Sequence, residues 1–384
     1  MVQLRQVNEQ TNTEILLGFQ HTVGRHCGST SLQDVVNYGG WPLSEAACFG
    51  LASGMAHYYK SASAEIPLGI FMGRCRDLEN NFLKNCEIDF ERIEFKTFTD
   101  LEAHIQQKIQ AGVPVLLQGD VAGLPYYKSP MHFPGHKFVV CGYNDRKYTI
   151  ADTAFAELQV VSAQDLDKCT AYSNAMWAGA YTAYDLGTLP ELTVDLGAKA
   201  VSRAIYQQIR ELSSSGEAFF LSWHRAHEAW LSSSDFTSQA DDKDFALGGR
   251  FFYQVIEKRG TGGGAFRGIY LDFVNELVND RVFPFPVLQK IFSSQGRALE
   301  LLADLQRSVR LSRERLSKIA DFYKMLAFRK ITRGDAKTQI RRQLKNLWHF
   351  ERSTNDILCL LATEFVPDFQ ISGEIFKITQ RRIL

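Results

Sequence analysis

"GRHCGSTSLQDVVNYGG", residues 24–40, places a single cysteine between a histidine and a glycine, directly before a stretch with the pattern of a helix. A thiol is a strong nucleophile when it is ionised, and the free amides and dipole of a helix N-terminus stabilise the thiolate. Cys27 is therefore a candidate nucleophile. The alternative is a structural role, because free cysteines are among the residues most often buried in protein cores.

A second stretch supplies the partners that a cysteine nucleophile needs. Residues 136–155, "HKFVVCGYNDRKYTIADTAF", are typical of a β-hairpin with two apolar strands around the turn Asn144-Asp145. That turn places His136 opposite residue 153, so we expect its imidazole to lie beside the Asp152 carboxylate. A histidine exchanges protons with the sulfur, and a carboxylate orients the histidine. The two stretches together predict a Cys27–His136–Asp152 constellation.

Composition places the chain among ordinary globular proteins. It has 384 residues, of which 45% are hydrophobic and 22% charged. No run of about 18 apolar residues is present, so we expect no membrane-spanning helix. The N-terminus lacks the apolar segment of a signal peptide, and seven scattered cysteines without CxxC pairs indicate neither a disulfide framework nor a zinc ribbon. These features favour a cytoplasmic protein.

The predicted elements divide the chain into two halves. The first half is mixed, with helices predicted at 30–38, 43–59 and 100–112, strands at 90–98 and 113–121, and the hairpin at 136–155. Beyond about residue 190 the patterns are helical, at 196–212, 217–231, 266–280, 296–330 and 336–363. We therefore predict an α+β catalytic domain at 1–188 and a mainly α-helical second domain at 189–384.

The charges are unevenly distributed although the formal net charge is zero. Residues 285–384 hold 19 Lys and Arg against 10 Asp and Glu, a net charge of +9. A basic helical segment is most often a solvated face. The alternative is a docking surface for an acidic partner, because such a field steers association. No nucleic-acid-binding module accompanies the charge, so we expect no nucleic-acid partner. The sequence leaves a homo-oligomer open.

Three motifs together resemble one protein family. "FQHTVGRHCGSTSLQDVVNYGG" at 19–40 with "GHKFVVCGYNDRKYTIADT" at 135–153 is similar to the core of papain-like cysteine peptidases, especially the peptidase domains of bacteriocin-exporting transporters. "HCGSTSLQDVVNYGGWPLSEAACFGLASGMAHYY" at 26–59 resembles the butirosin biosynthesis protein H family more closely still. "GTGGGAFRGIYLDFVNELV" at 260–278 is similar to a pattern in the helical second domain of that family.

The resemblance implies a papain-like fold and an acyltransferase. The family's namesake moves an acyl group from the phosphopantetheine thioester of an acyl carrier protein to an amine of an aminoglycoside. Its nucleophile falls on Cys27, its general base on His136 and its orienting acid on Asp152. Papain-like peptidases carry an oxyanion-stabilising glutamine about six positions before the nucleophile. His21 stands at that position here, with Gln20 beside it, and the backbone N–H of Cys27 would be the other donor.

Several further residues are candidates for binding or for metal coordination. Glycines that open a helix can hold an anion, so substrate or carrier contacts are predicted at Gly263, Gly264 and Arg267, and at the basic residues Arg310 and Arg313. "WHRAHEAW" at 223–230 spaces two histidines and a glutamate along one helical face, but lacks a further ligand nearby, and we predict no metal site. His132 is an alternative to His136 as the base.

The sequence thus predicts a cysteine-dependent acyltransferase that serves the biosynthesis of a specialised metabolite. Its predicted partners are an acyl carrier protein and a small-molecule acceptor with an amine or hydroxyl group. No tightly bound cofactor is expected, and the carrier's phosphopantetheine acts as co-substrate. The same constellation would also serve a thioesterase or an amide hydrolase. A non-catalytic papain-like module that binds a carrier protein is the third alternative.

Overall fold

The computed structural model describes residues 5–8, 13–60, 70–173, 179–232 and 239–370. Its strands are β1 (Arg5–Asn8), β2 (Thr13–Leu16), β3 (Met55–Lys60), β4 (Ile70–Arg74), β5 (Phe90–Glu94), β6 (Val115–Gly119), β7 (His136–Asn144), β8 (Lys147–Ala151), β9 (Gln159–Ser162) and β10 (Thr182–Leu186). Its helices are α1 (Cys27–Tyr38), α2 (Glu45–Leu51), α3 (Leu78–Asn85), α4 (Phe98–Gln110), α5 (Ala163–Ala171), α6 (Val194–Ser232), α7 (Gln239–Glu257), α8 (Arg267–Val278), α9 (Leu288–Ile291), α10 (Gln295–Ala327) and α11 (Arg333–Thr363). The mixed first half and the helical C-terminal region agree with the α+β prediction.

Contacts between Cα atoms group these elements into two units. The sheet unit comprises Met1–Cys48 and Glu87–Leu192, and the helical unit comprises Phe49–Cys86 and Thr193–Leu384. The change of unit at Leu192 lies close to the boundary predicted after residue 188. No local sequence pattern indicates that Phe49–Cys86 groups with the C-terminal helices, because the residues that make those contacts are far apart along the chain.

The sheet unit is built on one antiparallel sheet with the strand order β5-β10-β6-β7-β8-β9. Alternate residues of β6 and β7 face a core that also takes the apolar stripe of α4, namely Leu101, Ile105 and Ile109. Helix α1 packs against β6 and β7. The sheet therefore brings the first residue of α1 and the first residue of β7 into the same unit.

The hairpin of β7 and β8 forms as predicted, but its register differs. Asn144 pairs with Lys147, so the turn consists of Asp145 and Arg146, both with positive φ. The register then shifts at a bulge between Val140 and Gly142. The strands are consequently one to two residues out of the predicted alignment. Asp152 and His136 become diagonal rather than direct neighbours across the pair, a separation that long side chains still span.

The predicted helix at 43–59 is only half correct, because α2 ends at Leu51. Ser53 adopts a left-handed conformation with φ 55°, and the Gly54 amide bonds to the Phe49 carbonyl, which closes the helix. The chain then forms the antiparallel pair of β3 and β4. This pair belongs to the helical unit, since the Gln208 side chain of α6 bonds to both the N–H and the carbonyl of Met55.

The helical unit packs α7, α10 and α11 around a shared apolar core. The core contains Phe252 of α7, Tyr323 of α10 and Leu344 of α11, and also includes Phe71 of β4. Phe252 and Tyr323 stack with ring centroids 4.8 Å apart. The two long predicted helices appear as α10 and α11, whereas the helices predicted at 196–212 and 217–231 are one continuous helix, α6.

Candidate active site

Cys27 is the first residue of α1, the position that the sequence predicted for it. The preceding residue, His26, caps the helix, because its ring Nδ1 accepts the backbone N–H of Ser29 at 3.2 Å. The Glu45 carboxylate accepts the backbone N–H groups of Arg25 and His26, each at 2.8 Å. The loop before the nucleophile is therefore fixed by its backbone, and Cys27, partly exposed, sits at the positive end of the helix dipole.

The structure brings Cys27, His136 and Asp152 together. His136 Nε2 lies 2.9 Å from Asp152 Oδ2, and the side chains of His136 and Cys27 are hydrogen-bonded to each other. Because Nε2 is bonded to the carboxylate, Nδ1 is the ring nitrogen that faces the sulfur. His136 is 5% exposed and Asp152 is fully buried, so water does not weaken their interaction.

Electrostatics at this site favour an ion pair between sulfur and imidazole. Burial alone would lower the pKa of the His136 imidazole, but Asp152 and Cys27 outweigh it and raise that pKa to about 10. Burial would likewise raise the pKa of Asp152, yet hydrogen bonds and the charge of His136 hold it below its ordinary value. The arrangement can therefore keep a proton on the imidazole, beside the Cys27 sulfur, at neutral pH.

Two tyrosines that sequence reasoning missed bind the buried carboxylate. Tyr126 donates its hydroxyl to Asp152 Oδ2 at 2.7 Å, and Tyr127 donates to Oδ1 at 2.9 Å. The Tyr127 hydroxyl also lies 3.4 Å from His136 Nε2, and its ring meets the imidazole edge-on. Both tyrosines come from the loop between β6 and β7. No spacing rule in the sequence connects "PYY" at 125–127 to an aspartate 25 residues later.

Removing both hydroxyls should shift the pH dependence of the site. In the Tyr126→Phe/Tyr127→Phe double variant, the Asp152 carboxylate loses two hydrogen-bond donors, so its pKa rises. Asp152 is then protonated, and stops stabilising the His136 imidazolium, at a higher pH than in the wild type. Hydrogen bonds to a charged group contribute about 1.5–3 kcal/mol each, so the acid limb of Cys27 alkylation should move up by at least about one pH unit. The measurement is the rate of Cys27 carboxymethylation by iodoacetate as a function of pH.

The matched control is Tyr181→Phe, which removes a hydroxyl bound to Asp167 at 3.0 Å. It should leave the acid limb in place. If the double variant lowers the alkylation rate equally at every pH, the tyrosines only support packing.

His21, one of the predicted oxyanion donors, has a different partner set. Its Nδ1 lies 2.6 Å from Asp34 Oδ2, and its Nε2 lies 3.0 Å from the Phe155 carbonyl oxygen. Burial would lower the pKa of His21, but these acceptors raise it. Both ring N–H groups are therefore used, and this prediction is not supported. Gln20 is exposed, and its role stays a prediction.

The His21 contacts instead join the loop before Cys27 to the loop after Asp152. Phe155 follows Asp152 by three residues, and the Gly24 amide bonds to the Thr153 carbonyl at 3.0 Å. A side chain at Gly24 would place its Cβ 1.9 Å from the Thr30 hydroxyl, which explains the glycine. The loop before Cys27 and the loop after Asp152 are thus held to each other.

The glycine loop before α8 is a packing feature, which corrects the predicted anion site. The Gly263 amide bonds to the Thr261 hydroxyl, and the Gly264 amide bonds to the Glu257 carboxylate. A Cβ on Gly264 would lie 2.7 Å from Arg313 Cγ, so the loop touches α10. Both amides therefore already have partners in the protein. The glycine at 264 is explained by the close approach of its backbone to α10.

Arg267 is likewise a structural residue rather than a ligand contact. It is 1% exposed, its Nε donates to Glu351 Oε1 at 2.9 Å, and its Nη1 donates to the Gly73 carbonyl at 2.7 Å. Its Nη2 lies 2.8 Å from His57 Nε2. The guanidinium is thus satisfied inside the helical unit. Arg310 and Arg313, in contrast, are exposed on α10, so the predicted contact with a carrier protein stays open for them.

Within the described part of the chain, no group of three or more His, Cys, Asp or Glu side chains is arranged to hold a metal ion. The histidines and glutamate of "WHRAHEAW" lie outside the described side chains. Among the helices that the structure describes, none has the length and apolarity to cross a membrane. Cys141 is buried in β7, as a core residue.

Two family models match the chain. Residues 26–153 match the family described as Butirosin biosynthesis protein H, N-terminal, a span that contains Cys27, His136 and Asp152. Residues 164–329 match the family described as Domain of unknown function (DUF4872). No curated protein matches the chain. The match of residues 26–153 to the N-terminal domain of butirosin biosynthesis protein H confirms the resemblance expected from the sequence.

Proposed function

We propose that the protein is a cysteine-dependent acyltransferase that takes an acyl group from a carrier-protein or pantetheine thioester and passes it to an amine or hydroxyl. The observation that carries this proposal is the His136 imidazole, which is bonded to Asp152 on one side and to Cys27 on the other. The match of residues 26–153 to a family named for a biosynthesis protein supports a role in making a specialised metabolite.

The first half-reaction acylates the nucleophile. The Cys27 thiolate attacks the thioester carbonyl and forms a tetrahedral intermediate. The intermediate collapses with breakage of the bond to the pantetheine sulfur, and the His136 imidazolium gives its proton to that departing thiolate. The products are acyl-Cys27, a free pantetheine thiol and a neutral imidazole. Asp152 stays ionised throughout, because it orients the ring and stabilises its charged form.

The second half-reaction uses the same groups in reverse. The acceptor amine or hydroxyl attacks the acyl-Cys27 carbonyl, and neutral His136 removes its proton. Collapse of the second tetrahedral intermediate expels the Cys27 thiolate and releases the amide or ester. The backbone N–H of Cys27 is the donor that we assign to the oxyanion, since preorganised amides commonly stabilise such intermediates. No tightly bound cofactor takes part in this chemistry.

We also propose that the sheet unit has the papain-like fold. Three features support this assignment: the nucleophile begins a helix, the base begins a strand of an antiparallel sheet, and the acid follows the next strand. The helix packs on the sheet that carries the base. The proposed activity would operate in the cytoplasm, where thiols stay reduced.

An acyl carrier protein is the donor that we propose, with its phosphopantetheine thioester as co-substrate. The net charge of +9 over residues 285–384 suits an acidic partner. Arg310 and Arg313 are exposed one helical turn apart on α10, where they could meet such a partner. The acceptor is a small molecule that carries the amine or hydroxyl.

Intact-mass spectrometry after incubation with acyl-pantetheine or acyl carrier protein tests the proposal. We expect a mass increase equal to one acyl group in the wild type and none in Cys27→Ala. Adding an amine or alcohol acceptor should remove the adduct and yield the acylated acceptor. If the adduct decays at the same rate without acceptor, the enzyme is a thioesterase. Complex formation with no adduct would identify a carrier-binding module and overturn the enzymatic proposal.

Comparing the two acyl donors distinguishes an effect on the chemical step from an effect on binding of the carrier protein. The Arg310→Glu/Arg313→Glu double variant should raise the KM for acyl carrier protein and leave the KM for acyl-pantetheine unchanged. An equal effect on both donors would place these arginines outside carrier recognition.

A further inference from the structure

Besides His136–Asp152 and His21–Asp34, the sheet unit contains a third histidine–carboxylate pair, made by His132 and Asp120. His132 Nδ1 lies 2.5 Å from Asp120 Oδ2. The His132 side chain is 56% exposed, whereas the Asp120 side chain is 2% exposed. A buried carboxylate thus holds an imidazole that solvent can reach. This is the opposite of the His136–Asp152 pair, in which both members are buried.

The orientation of the His132 ring is fixed by more than one contact. Asp120 also accepts the backbone N–H of Phe133 at 2.5 Å, which holds the loop beside the ring. The His132 ring stacks on Tyr172, with centroids 4.3 Å apart and an angle of 18°. Because Nδ1 is engaged with Asp120, Nε2 is the ring nitrogen that remains for a partner from solvent. The imidazole is therefore preorganised as a proton acceptor with one usable nitrogen.

The His132–Asp120 and His136–Asp152 pairs lie at the same end of the neighbouring strands β6 and β7. Gly119, the last residue of β6, is directly opposite His136, the first residue of β7, and Asp120 follows Gly119. The buried thiol of Cys169 lies within electrostatic range of both carboxylates. Burial raises the pKa of Cys169, and the charges of Asp120 and Asp152 add to the rise. His132 is thus an exposed imidazole whose carboxylate partner lies at the same end of the β6–β7 pair as His136.

The proposed transfer to an amine has a proton requirement that the triad alone does not meet. An alkyl amine, like a lysine side chain with a pKa of about 10.4, is an ammonium ion at neutral pH. It must lose one proton before it can attack and a second as the amide forms. After acylation, neutral His136 accepts only one of these. A second base close to the triad would supply the missing step.

We propose that His132, oriented by Asp120, is a second general base that deprotonates an ammonium-bearing acceptor; this assignment rests on the acyl-transfer function proposed above. His132 Nε2 takes one N–H proton from the acceptor ammonium and becomes imidazolium. The resulting amine attacks the acyl-Cys27 carbonyl, and His136 takes the second proton as the tetrahedral intermediate forms. Expulsion of the Cys27 thiolate leaves the amide, and His132 returns its proton to water.

A purely structural role for the pair would not require an imidazole. Asp120 already anchors the loop through the Phe133 amide and through the Ala122 amide at 3.4 Å. Stacking on Tyr172 could be made by any flat ring. The His132→Phe variant therefore keeps a ring for the stack and removes the base, and His132→Gln keeps a polar side chain without the base.

The experiment compares two nucleophiles on preformed acyl-Cys27. The enzyme is loaded with acyl-pantetheine, and decay of the adduct is followed by intact mass with either propylamine or hydroxylamine. Propylamine is an ammonium ion near pH 7.5, whereas hydroxylamine is neutral there and needs no prior deprotonation. Both His132 variants should slow transfer to propylamine by about tenfold or more and leave transfer to hydroxylamine unchanged. His349→Gln, an exposed histidine of α11, is the matched control.

Each outcome decides the assignment. If the His132 variants change the rates of transfer to propylamine and to hydroxylamine by the same factor, or change neither rate, His132 is not the second base. The acyltransferase proposal stands in that case. If the wild type forms no acyl-Cys27 at all, the acyltransferase proposal fails and the role of His132 fails with it. Selective loss with propylamine, absent in His349→Gln, supports the assignment.

Discussion

Replacing Asp152 by asparagine should lower the rate of acyl transfer by about 10³–10⁴-fold. The carboxylate is the group that raises the pKa of His136 to about 10 against the effect of burial. An amide is neutral, so the imidazolium would lose its partner, and the amide could also present an N–H to the ring and favour the wrong tautomer. The measurement is kcat/KM for transfer from acyl-pantetheine, which needs no carrier protein.

The matched control for this variant is Asp145→Asn. Asp145 lies in the turn of the same hairpin, is exposed, and has φ 47°, a conformation that asparagine accepts readily. It should retain wild-type activity. An Asp152→Asn enzyme within threefold of the wild type would show that the carboxylate does not orient the base.

Replacing Arg267 by methionine should destabilise the helical unit by about 3–5 kcal/mol. The guanidinium is buried between Glu351 and His57, and its loss would leave the Glu351 carboxylate in an apolar interior without its main partner. Burial alone would raise the pKa of Glu351, but Arg267 and His57 lower it to about 2. Urea denaturation followed by circular dichroism measures the loss, since most helices belong to this unit.

The pH dependence of this loss has a definite sign. In the wild type, the lowered pKa of Glu351 contributes stability above its unfolded value, and that contribution disappears as the pH falls toward about 2. In the variant, burial still raises the pKa of Glu351 and only His57 remains to lower it, so less of this stability is present at neutral pH and less is lost in acid. The difference in free energy of unfolding between the wild type and Arg267→Met should therefore become smaller as the pH falls. Arg352→Met, at an exposed neighbour of Glu351, should change stability by less than about 0.5 kcal/mol, and an equal loss there would contradict the account.

The central geometry of the site could be predicted from local patterns. Cys27 was placed at a helix start because the residues after it have helical spacing, and α1 begins there. His136 and Asp152 were paired from the expected hairpin, although the turn lies one residue later and a bulge shifts the register. His136 and Asp152 still meet despite this shift, because diagonal neighbours on one face of a sheet are close to each other.

The rest of the site depends on contacts that no local pattern encodes. Tyr126 and Tyr127 reach Asp152 from a loop whose path is set by tertiary packing. The position of His21 predicts an oxyanion donor. Its ring is instead hydrogen-bonded to Asp34, a buried carboxylate on the next helix. Arg267 was assigned to an anion from its neighbouring glycines, and its true partner is 84 residues away. Only the fold reveals which partner a charged side chain has.

The measurement that tests the central claim most directly is the rate of Cys27 carboxymethylation across pH 4–9. If a carboxylate-held imidazolium stabilises the sulfur anion, alkylation should stay close to its plateau rate down to about pH 6, whereas an ordinary thiol, with a pKa near 8.5, slows about tenfold per unit below that value. Asp152→Asn should restore the ordinary profile. A wild-type profile with its midpoint near pH 8.5, identical to that of Asp152→Asn, would contradict the account.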